Sequence, residues 1–202
     1  MKLISLLENY GNASPLPTPP LLLLTDVSLL KSGKPFFVPD DGHEYRAFPS
    51  MAIRICRLGK SIPARFAHRY YQEAAPALNI RDITLLSLLR KESLPWTEAV
   101  AFDYSTPTGD FISLPQMGMD DIKFTFRHLD NTGKEISSPI VFDPEKLQIG
   151  ADKAIEVLSR RFTLKDGDII FLGHTPDSFL LSPRQTVEAF TDTKRNLFVK
   201  LR

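Results

Sequence analysis

Prolines and glycines divide this chain into apolar segments that are too short for long helices. The segments "AFDYS", "DFISL", "IKFTFRHLD" and "EISSPIVF" follow one another between residues 101 and 142, separated by Gly, Pro or Asn-Thr-Gly. Short apolar runs bounded by turn residues are typical of β-strands. Within "KFTFRHLDNTGKEI", the residues Asn131-Thr132-Gly133 can supply the turn of a hairpin. This part of the chain is therefore predicted to be rich in strands.

Two or three helices are predicted among the strands. The segment at 61–79 has helical composition, the segment at 82–94 begins with Asp82 as a candidate N-cap, and the segment at 150–164 is amphipathic. The strand "SMAIRICRLG" precedes the first of them, with alternate residues facing a core. Strands and helices do not alternate regularly, which argues against a doubly wound sheet. The predicted class is α+β, rich in strands, with two or three helices on a mixed sheet.

Composition and charge indicate one ordinary domain. The 202 residues are 43% hydrophobic, and 25 basic residues nearly balance 24 acidic ones. This balance favours neither a nucleic-acid partner nor an acidic tail, and Leu21–Leu24 is far shorter than the about 20 apolar residues of a membrane span. We expect a single domain over 1–202 in the cytoplasm, with a first strand and a stiff Pro-rich connector in 1–34 and the core in 35–202.

The residue patterns alone identify no reaction. The chain has no Gly-rich phosphate loop, Cys-x-x-Cys pair or nucleophile elbow, and its four histidines are too scattered for a histidine zinc site. The segment "DDGHEY" brings Asp40, Asp41, His43 and Glu44 together, for which a solvated turn is the simplest interpretation. Glu44 is expected to form a surface ion pair with Arg46.

Four longer segments together resemble the fumarylacetoacetate hydrolase family. They are "SLLKSGKPFFVPD", "RICRLGKSIPARFAHRYY", "LPWTEAVAFD" and "RRFTLKDGDIIFLG", in the order and spacing of bacterial members of about this length. The resemblance implies a mixed β-roll with two or three peripheral helices, usually in a homodimer. It also implies a hydrolase, decarboxylase or isomerase of small diketo, oxo or enol acids. Such enzymes use one Mg²⁺ or Mn²⁺ held by three acidic side chains.

The family's ligand positions fall on neutral residues in this chain. Counting back from "RICRLGK" places the Glu-x-Glu pair of the family at Phe48 and Ser50, and the third acidic ligand falls on Asn79. The family's lysine falls on Val100. We therefore expect no catalytic residues at these four positions, no metal ligand and no Mg²⁺ or Mn²⁺ cofactor.

The resemblance also fails at the rim of the expected cleft. The family's lid carries a His and Glu pair, which residues 11–34 lack, and "VFDP" at 141–144 stands where the family brings a polar loop to the substrate. The segment "LGHTPDSF" keeps Gly173, Thr175 and Pro176 of another family loop. Thr175 and Pro176 are expected to line the cleft.

Two functions remain open on the sequence. The first is a catalytically inactive relative that acts as a binding or structural module, as a homodimer or as the partner of an active relative. A small molecule could occupy its cleft, and we expect neither nucleic acid nor membrane as a partner. The second is a hydrolase, isomerase or decarboxylase with a relocated site. Its candidate residues are the polar groups nearest the cleft: Asp40, Asp41, His43, Glu44, Asp82, Asp103 and His174.

Overall fold

Strands dominate the architecture, as the division of the chain into short apolar segments predicts. The structure, a computed structural model, describes residues 1–11, 18–114 and 122–202. Within these ranges the chain forms fourteen β-strands, three α-helices and three short 3-10 helices. The predicted α+β class with two or three helices is therefore confirmed.

The strands are numbered in chain order. They are β1 (Leu3–Leu6), β2 (Leu21–Leu24), β3 (Leu29–Lys31), β4 (Pro35–Phe36), β5 (Tyr45–Ile55), β6 (Tyr71–Asp82), β7 (Thr106–Thr108), β8 (Ile112–Ser113), β9 (Phe124–Leu129), β10 (Ile140–Phe142), β11 (Ile169–His174), β12 (Phe179–Leu180), β13 (Thr186–Thr191) and β14 (Lys194–Leu201). The α-helices are α1 (Ala64–Ala67), α2 (Ile83–Lys91) and α3 (Ala151–Arg161). The 3-10 helices cover Asp26–Ser28, Thr97–Ala99 and Pro144–Lys146.

The strands form two mixed sheets. The first has the order β2-β1-β11-β5-β6-β7-β3, with β12 also paired to β5 and β8 to β6. The second has the order β10-β9-β13-β14-β4. The pairs β1–β11, β3–β7 and β4–β14 are parallel, and the other pairs are antiparallel. Strands β5 and β6 are the longest pair of neighbouring strands, and they lie in the middle of the first sheet.

One hydrophobic core joins the two sheets. Its fully buried members include Ile53 and Leu78 from the first sheet and Phe126, Val187 and Leu197 from the second. Burying an aliphatic or aromatic side chain of this size contributes about 2 kcal/mol, which makes the inner faces of the sheets the main source of stability. The predicted alternation in β5 is visible here, since Ile53 faces this core while Arg54 remains partly exposed.

The helix predicted over 61–79 is wrong for most of its length. Only Ala64–Ala67 is helical, and β6 begins at Tyr71. Ala74, Ala75 and Ala77 are fully buried in β6, which pairs with β5 on one side and with β7 and β8 on the other. Alanine favours helices in isolation, but long-range pairing and burial override this preference in a central strand.

The other local signals are confirmed. Asp82 caps α2, because its carboxylate accepts a hydrogen bond from the backbone N–H of Leu85 at 2.8 Å. The chain reverses at Asn131-Thr132-Gly133, where Gly133 has a positive φ of 85° and Ile136 donates to the carbonyl of His128. These features depend on neighbouring residues, so the sequence predicts them well.

The N-terminal part of the chain is only partly described. Residues 15–17 of the predicted Pro-rich connector lie outside the described residues, and residues 18–20 lead into β2. Among the described residues, no helix has both the length and the apolar composition that crossing a membrane requires.

Candidate functional site

The pairing of β5 with β6 aligns the residues that the family resemblance singles out. Phe48 lies directly opposite Asn79, and Arg46 lies opposite Arg81. Because side chains alternate between the two faces of a strand, Phe48 and Ser50 project to the same side as Asn79 and Arg81. We call this group of four residues the β5–β6 face.

Arg81 is the charged group of the β5–β6 face. Its guanidinium carbon lies 4.8 Å from the centre of the Phe48 ring, and its Nε donates to Oδ1 of Asn79 at 2.6 Å. Only 8% of the residue is exposed. Burial lowers the pKa of the guanidinium to about 10, helped by the charge of Arg90 and opposed by that of Glu8. The group therefore remains a cation at neutral pH.

The end of β11 borders the β5–β6 face. His174 pairs with Ser50, and the Ser50 hydroxyl donates to the carbonyl of Gly173 at 2.5 Å. Gly173 has a positive φ of 122°, and a Cβ there would lie 3.2 Å from the Cβ of Asn9. Both the backbone conformation and the available space thus favour glycine.

His174 is a neutral side chain at this border. Its ring centre lies 5.4 Å from that of Phe48. Burial, and then the charge of Arg81, lower the pKa of His174 to about 3. The Nδ1 atom lies 3.0 Å from the carbonyl of Thr175, which can only accept, so Nδ1 carries the proton. Nε2 is consequently a hydrogen-bond acceptor.

The remaining positions from the family resemblance are structural. Val100 is buried in a small cluster with Leu86 and Leu89 of α2. Thr175 is buried, and its N–H donates to the carbonyl of Pro49 at 2.9 Å, whereas Pro176 is exposed. Of the two predicted cleft residues, Thr175 therefore holds the β11 loop against β5.

The β5–β6 face does not fit a divalent cation. Mg²⁺ and Mn²⁺ prefer several oxygen ligands, among them carboxylates. Phe48 has no ligand atom, the Ser50 hydroxyl is engaged with Gly173, and the Asn79 oxygen already accepts from Arg81. The positive charge of Arg81 would also repel a metal ion at this position.

A second group of polar residues lies where β6 ends. Asp41, His43 and Asp82 bring three ligand atoms within 4.8 Å of one another, and we call them the acidic corner. His43 Nδ1 lies 2.6 Å from Oδ2 of Asp82, while the other Asp82 oxygen caps α2. Asp82 is adjacent to Arg81 in the strand, so it projects to the opposite face of the sheet.

Hydrogen bonds already hold the acidic corner together. Asp41 accepts from the backbone N–H of His43 at 2.9 Å and from the Tyr45 hydroxyl at 2.8 Å. Both bonds lower the pKa of Asp41, and the bond from His43 has the larger effect. The hydrogen bond to Asp82 raises the pKa of His43. A metal bound here would have to displace the proton shared by His43 and Asp82.

The other candidates for a relocated site lie apart from these groups. Asp40 and Asp103 are exposed. Glu44 forms the expected surface ion pair with Arg46, at 2.6 Å. His174 belongs to the border of the β5–β6 face rather than to the acidic corner. Of the seven candidates, the structure therefore brings three side chains close together, those of Asp41, His43 and Asp82.

Comparison with solved structures identifies the architecture. Fumarylpyruvate hydrolase from Pseudomonas aeruginosa, solved with Mn²⁺ and pyruvate, is similar to the whole of this chain over 89% of its own length, with a TM-score of 0.83 and 20% identity. The chain has the fumarylacetoacetate hydrolase fold. A structure from Yersinia pestis CO92 assigned to that family gives a TM-score of 0.86 at 19% identity, covering 100% of this chain and 93% of the other. The predicted mixed β-roll is confirmed.

Sequence comparison gives distant relatives that are named as enzymes. Oxaloacetate decarboxylase of Dictyostelium discoideum is 23% identical over 198 residues, which cover 93% of this chain and 87% of that protein. Oxaloacetate tautomerase of Escherichia coli K12 is 24% identical over 187 residues, covering 93% of this chain and 82% of the other. No family model matches the chain. The resemblance inferred from sequence motifs is confirmed by these similarities and by the fold.

The prediction that the protein uses no metal cofactor is wrong. It was based on the β5–β6 face alone, where the motif count places the family's ligand positions on neutral residues. The acidic corner supplies one imidazole and two carboxylates, a donor set that divalent cations accept, and a protein with the same fold was solved with Mn²⁺. The corner is assembled from residues 39 positions apart, which only the β5–β6 pairing brings together.

Sequence reasoning did not single out Arg81. The available signal is an arginine in the otherwise apolar segment "APALNIRD", two residues after the position that carries an acidic ligand in the family. Its interaction with Phe48 depends on the register between β5 and β6, which the sequence does not display.

Proposed function

We propose that the protein is a small-ligand-binding relative of the fumarylacetoacetate hydrolase enzymes that does not carry out metal-dependent catalysis on the β5–β6 face. The observation that supports this proposal is the pairing of Phe48 with Asn79, with the Ser50 hydroxyl bound to Gly173. No carboxylate stands at any of these three positions. A reaction that needs a metal to polarise a substrate carbonyl has no electrophile there.

The neutral residues on the β5–β6 face also favour the fold without a bound metal. Three neighbouring carboxylates in a half-buried site repel one another unless a cation is bound. Neutral side chains at Phe48, Ser50 and Asn79 remove this repulsion, and the hydrogen bond from Ser50 adds to the local stability. A binding protein gains stability from changes that would inactivate an enzyme.

A homodimer, or a complex with an active relative, is part of this proposal. Phe37 and Tyr104 are 65% and 53% exposed and lie with Leu29 and Pro35 along one groove. Exposed apolar side chains clustered in this way favour contact with another subunit. Sedimentation of the pure chain tests the homodimer, for which we expect twice the mass of the chain. A chain that is monomeric and also fails to bind active enzymes of this fold would contradict the proposed assembly.

The catalytic part of the proposal is tested by turnover and metal binding together. Oxaloacetate and acylpyruvates are incubated with the protein in Mn²⁺, and bound Mn²⁺ is measured by electron paramagnetic resonance. We expect no metal-dependent turnover, and we expect the variant His43→Gln to lose whatever Mn²⁺ the wild type binds. Mn²⁺-dependent turnover that persists in His43→Gln would contradict the proposal, because it would place the reaction outside the acidic corner.

A second function is favoured by the acidic corner. Three ligand atoms within 4.8 Å could hold a divalent cation, which makes a relocated hydrolase, isomerase or decarboxylase site for small oxo or diketo acids the alternative. In that case turnover requires metal and falls in both His43→Gln and Asp82→Asn. Glu44→Ala is the matched control, because Glu44 is adjacent in sequence but pairs with Arg46. Turnover that survives both variants would exclude the corner as its site.

A further inference from the structure

A concave pocket lies on the second sheet, between the start of β13, the end of β14 and the turn at Asn131. Its volume is about 500 Å³, and its lining shares no residue with the β5–β6 face or the acidic corner. Arg184, Lys200 and Arg202 line this pocket, and no carboxylate side chain among the described residues lines it with them. We call it the basic pocket.

The hydrogen bonds of the β13–β14 pair hold the wall of the basic pocket in place. Lys200 lies directly opposite Thr186, so their side chains leave the sheet on the same face. The N–H of Arg184 donates to the carbonyl of Leu201 at 2.9 Å, and the N–H of Leu201 donates to the carbonyl of Gln185 at 2.9 Å. The positive charges are therefore carried by a fixed end of two paired strands.

The carboxylates near the basic pocket are engaged elsewhere. Glu188, further along β13, pairs with Arg195 at 2.6 Å, and Asp130 accepts hydrogen bonds inside its own turn. In the part of the chain that the structure describes, none of the three pocket cations forms an ion pair. An α-carboxylate on Arg202 would cancel only one of their charges. Like charges around a concave surface focus a positive potential, which attracts anions.

Arg184 occupies a backbone conformation that suits glycine better. Its φ is 67°, in the left-handed region where a residue with a Cβ costs free energy. The hydrogen bond that it donates to Leu201 uses only the backbone N–H, which glycine would supply equally well. The long cationic side chain therefore adds nothing to the turn itself. A residue kept at an unfavourable backbone position indicates a role in binding.

The charges and the size of the basic pocket specify the class of ligand. Guanidinium and ammonium groups together match the several oxygens of a phosphate. A phosphate monoester carries a charge of about −1.5 to −2 at neutral pH, so it balances more of the three cations than a single carboxylate does. The pocket, at about 500 Å³, lies within the roughly 300–1,000 Å³ range of small-molecule sites. Pro183 and the aliphatic stems of the cations supply an apolar wall for the rest of such a ligand.

We propose that the basic pocket binds a phosphorylated small molecule, with its phosphate between Arg184, Lys200 and Arg202 and its organic part against Pro183. This site goes beyond the function proposed above, because it lies on the second sheet and involves neither the β5–β6 face nor a metal. Binding is reversible and non-covalent.

The test uses calorimetric titration of the full chain with glucose 6-phosphate, AMP and inorganic phosphate, in low salt with EDTA. We expect saturable binding of both monoesters that weakens as salt is added, because exposed charges are screened. Inorganic phosphate should bind more weakly, since it leaves most of the pocket unfilled. Glucose and adenosine, which lack the phosphate, should not bind.

Arg184→Gly is the decisive variant, because it removes the charge and suits the left-handed backbone. We expect it to weaken glucose 6-phosphate binding about tenfold, since a charged hydrogen bond is lost. Its melting temperature should not fall below that of the wild type. Asp192→Gly is the matched control, because Asp192 also has a positive φ, of 52°, but lies in the connection from β13 to β14 and outside the pocket. It should leave binding unchanged.

A second variant keeps the test decisive if Arg184→Gly is unstable. Lys200→Met is also expected to weaken binding about tenfold, through the loss of a charged contact. Lys194→Met is its control, because Lys194 is exposed at the opposite end of β14 and does not line the pocket.

Four results would overturn the inference. They are unchanged affinity for glucose 6-phosphate in Arg184→Gly or Lys200→Met, equal binding of glucose, the absence of binding by either monoester, and binding to phosphatidic acid vesicles alone. Binding that Arg81→Met removes while Arg184→Gly retains it would also contradict the inference, because it would locate the phosphate on the β5–β6 face. The proposed lack of catalysis is judged separately, by turnover in Mn²⁺.

Discussion

The β5–β6 face and the acidic corner meet at adjacent residues of β6, yet they use charge in opposite ways. Arg81 on the face is a buried cation whose Nε donates to Asn79, whereas the carboxylates of Asp41 and Asp82 accept hydrogen bonds from their neighbours. The face has no carboxylate among its four residues and carries one positive charge. The corner retains negative charge but uses it to hold a turn and a helix end. Charge content alone therefore does not identify a binding site, because what matters is whether protein groups already satisfy the charge.

The largest expected effect comes from restoring acidic residues to the face. The variant Phe48→Glu/Ser50→Glu/Asn79→Asp places three carboxylates beside one arginine, which can pair with only part of that charge. We expect a loss of about 3 kcal/mol or more in the free energy of unfolding, measured in urea at neutral pH with EDTA.

Mn²⁺ should recover much of that loss, because a cation removes the repulsion. Asn79→Asp alone is the control, and it should leave stability nearly unchanged because Arg81 pairs with the single carboxylate. A triple variant as stable as the wild type without metal would contradict the view that the neutral residues stabilise the empty fold.

The stability contributed by Asp82 in the acidic corner should depend more on its hydrogen-bond acceptor than on its charge. Asp82→Ala removes the cap of α2 and the partner of His43, and we expect a loss of about 2 kcal/mol in the free energy of unfolding. Asp82→Asn keeps an oxygen that can cap the helix, so its loss should be clearly smaller. Equal losses in urea unfolding would show that charge, rather than capping, is the main contribution of Asp82.

The pH dependence of stability should report the His43–Asp82 pair. The pKa of His43 is raised in the folded protein, so its contribution is complete below the ordinary pKa of histidine and is lost as pH rises through the folded value. We expect His43→Gln to flatten the decrease in melting temperature above about pH 6.5, measured with EDTA present. His68→Gln, at an exposed histidine, is the control. A decrease that persists unchanged in His43→Gln would exclude this pair as its source.

The smallest effect is expected at the exposed ion pair between the two regions. Glu44 and Arg46 are both partly solvated, so Glu44→Ala should change the free energy of unfolding by less than about 1 kcal/mol. A larger change would mean that Glu44 supports the β5–β6 face.

The sequence by itself determined the strand-rich class, the start of α2 at Asp82 and the turn at Asn131-Thr132-Gly133. These features follow from residues that are neighbours in the chain, where turn chemistry and capping act locally. Counting from the family motifs also predicts that the family's acidic ligand positions fall on Phe48, Ser50 and Asn79, which are neutral.

Only the tertiary structure decided the rest. Residues 71–79 form a strand rather than a helix because β5, β7 and β8 pair with them, and burial outweighs the helix preference of alanine. Likewise, Arg81 contacts Phe48, and His43 contacts Asp82, across 33 and 39 positions of sequence. Such contacts depend on the register between strands, which is set by the packing of the whole sheet and cannot be read from the order of residues.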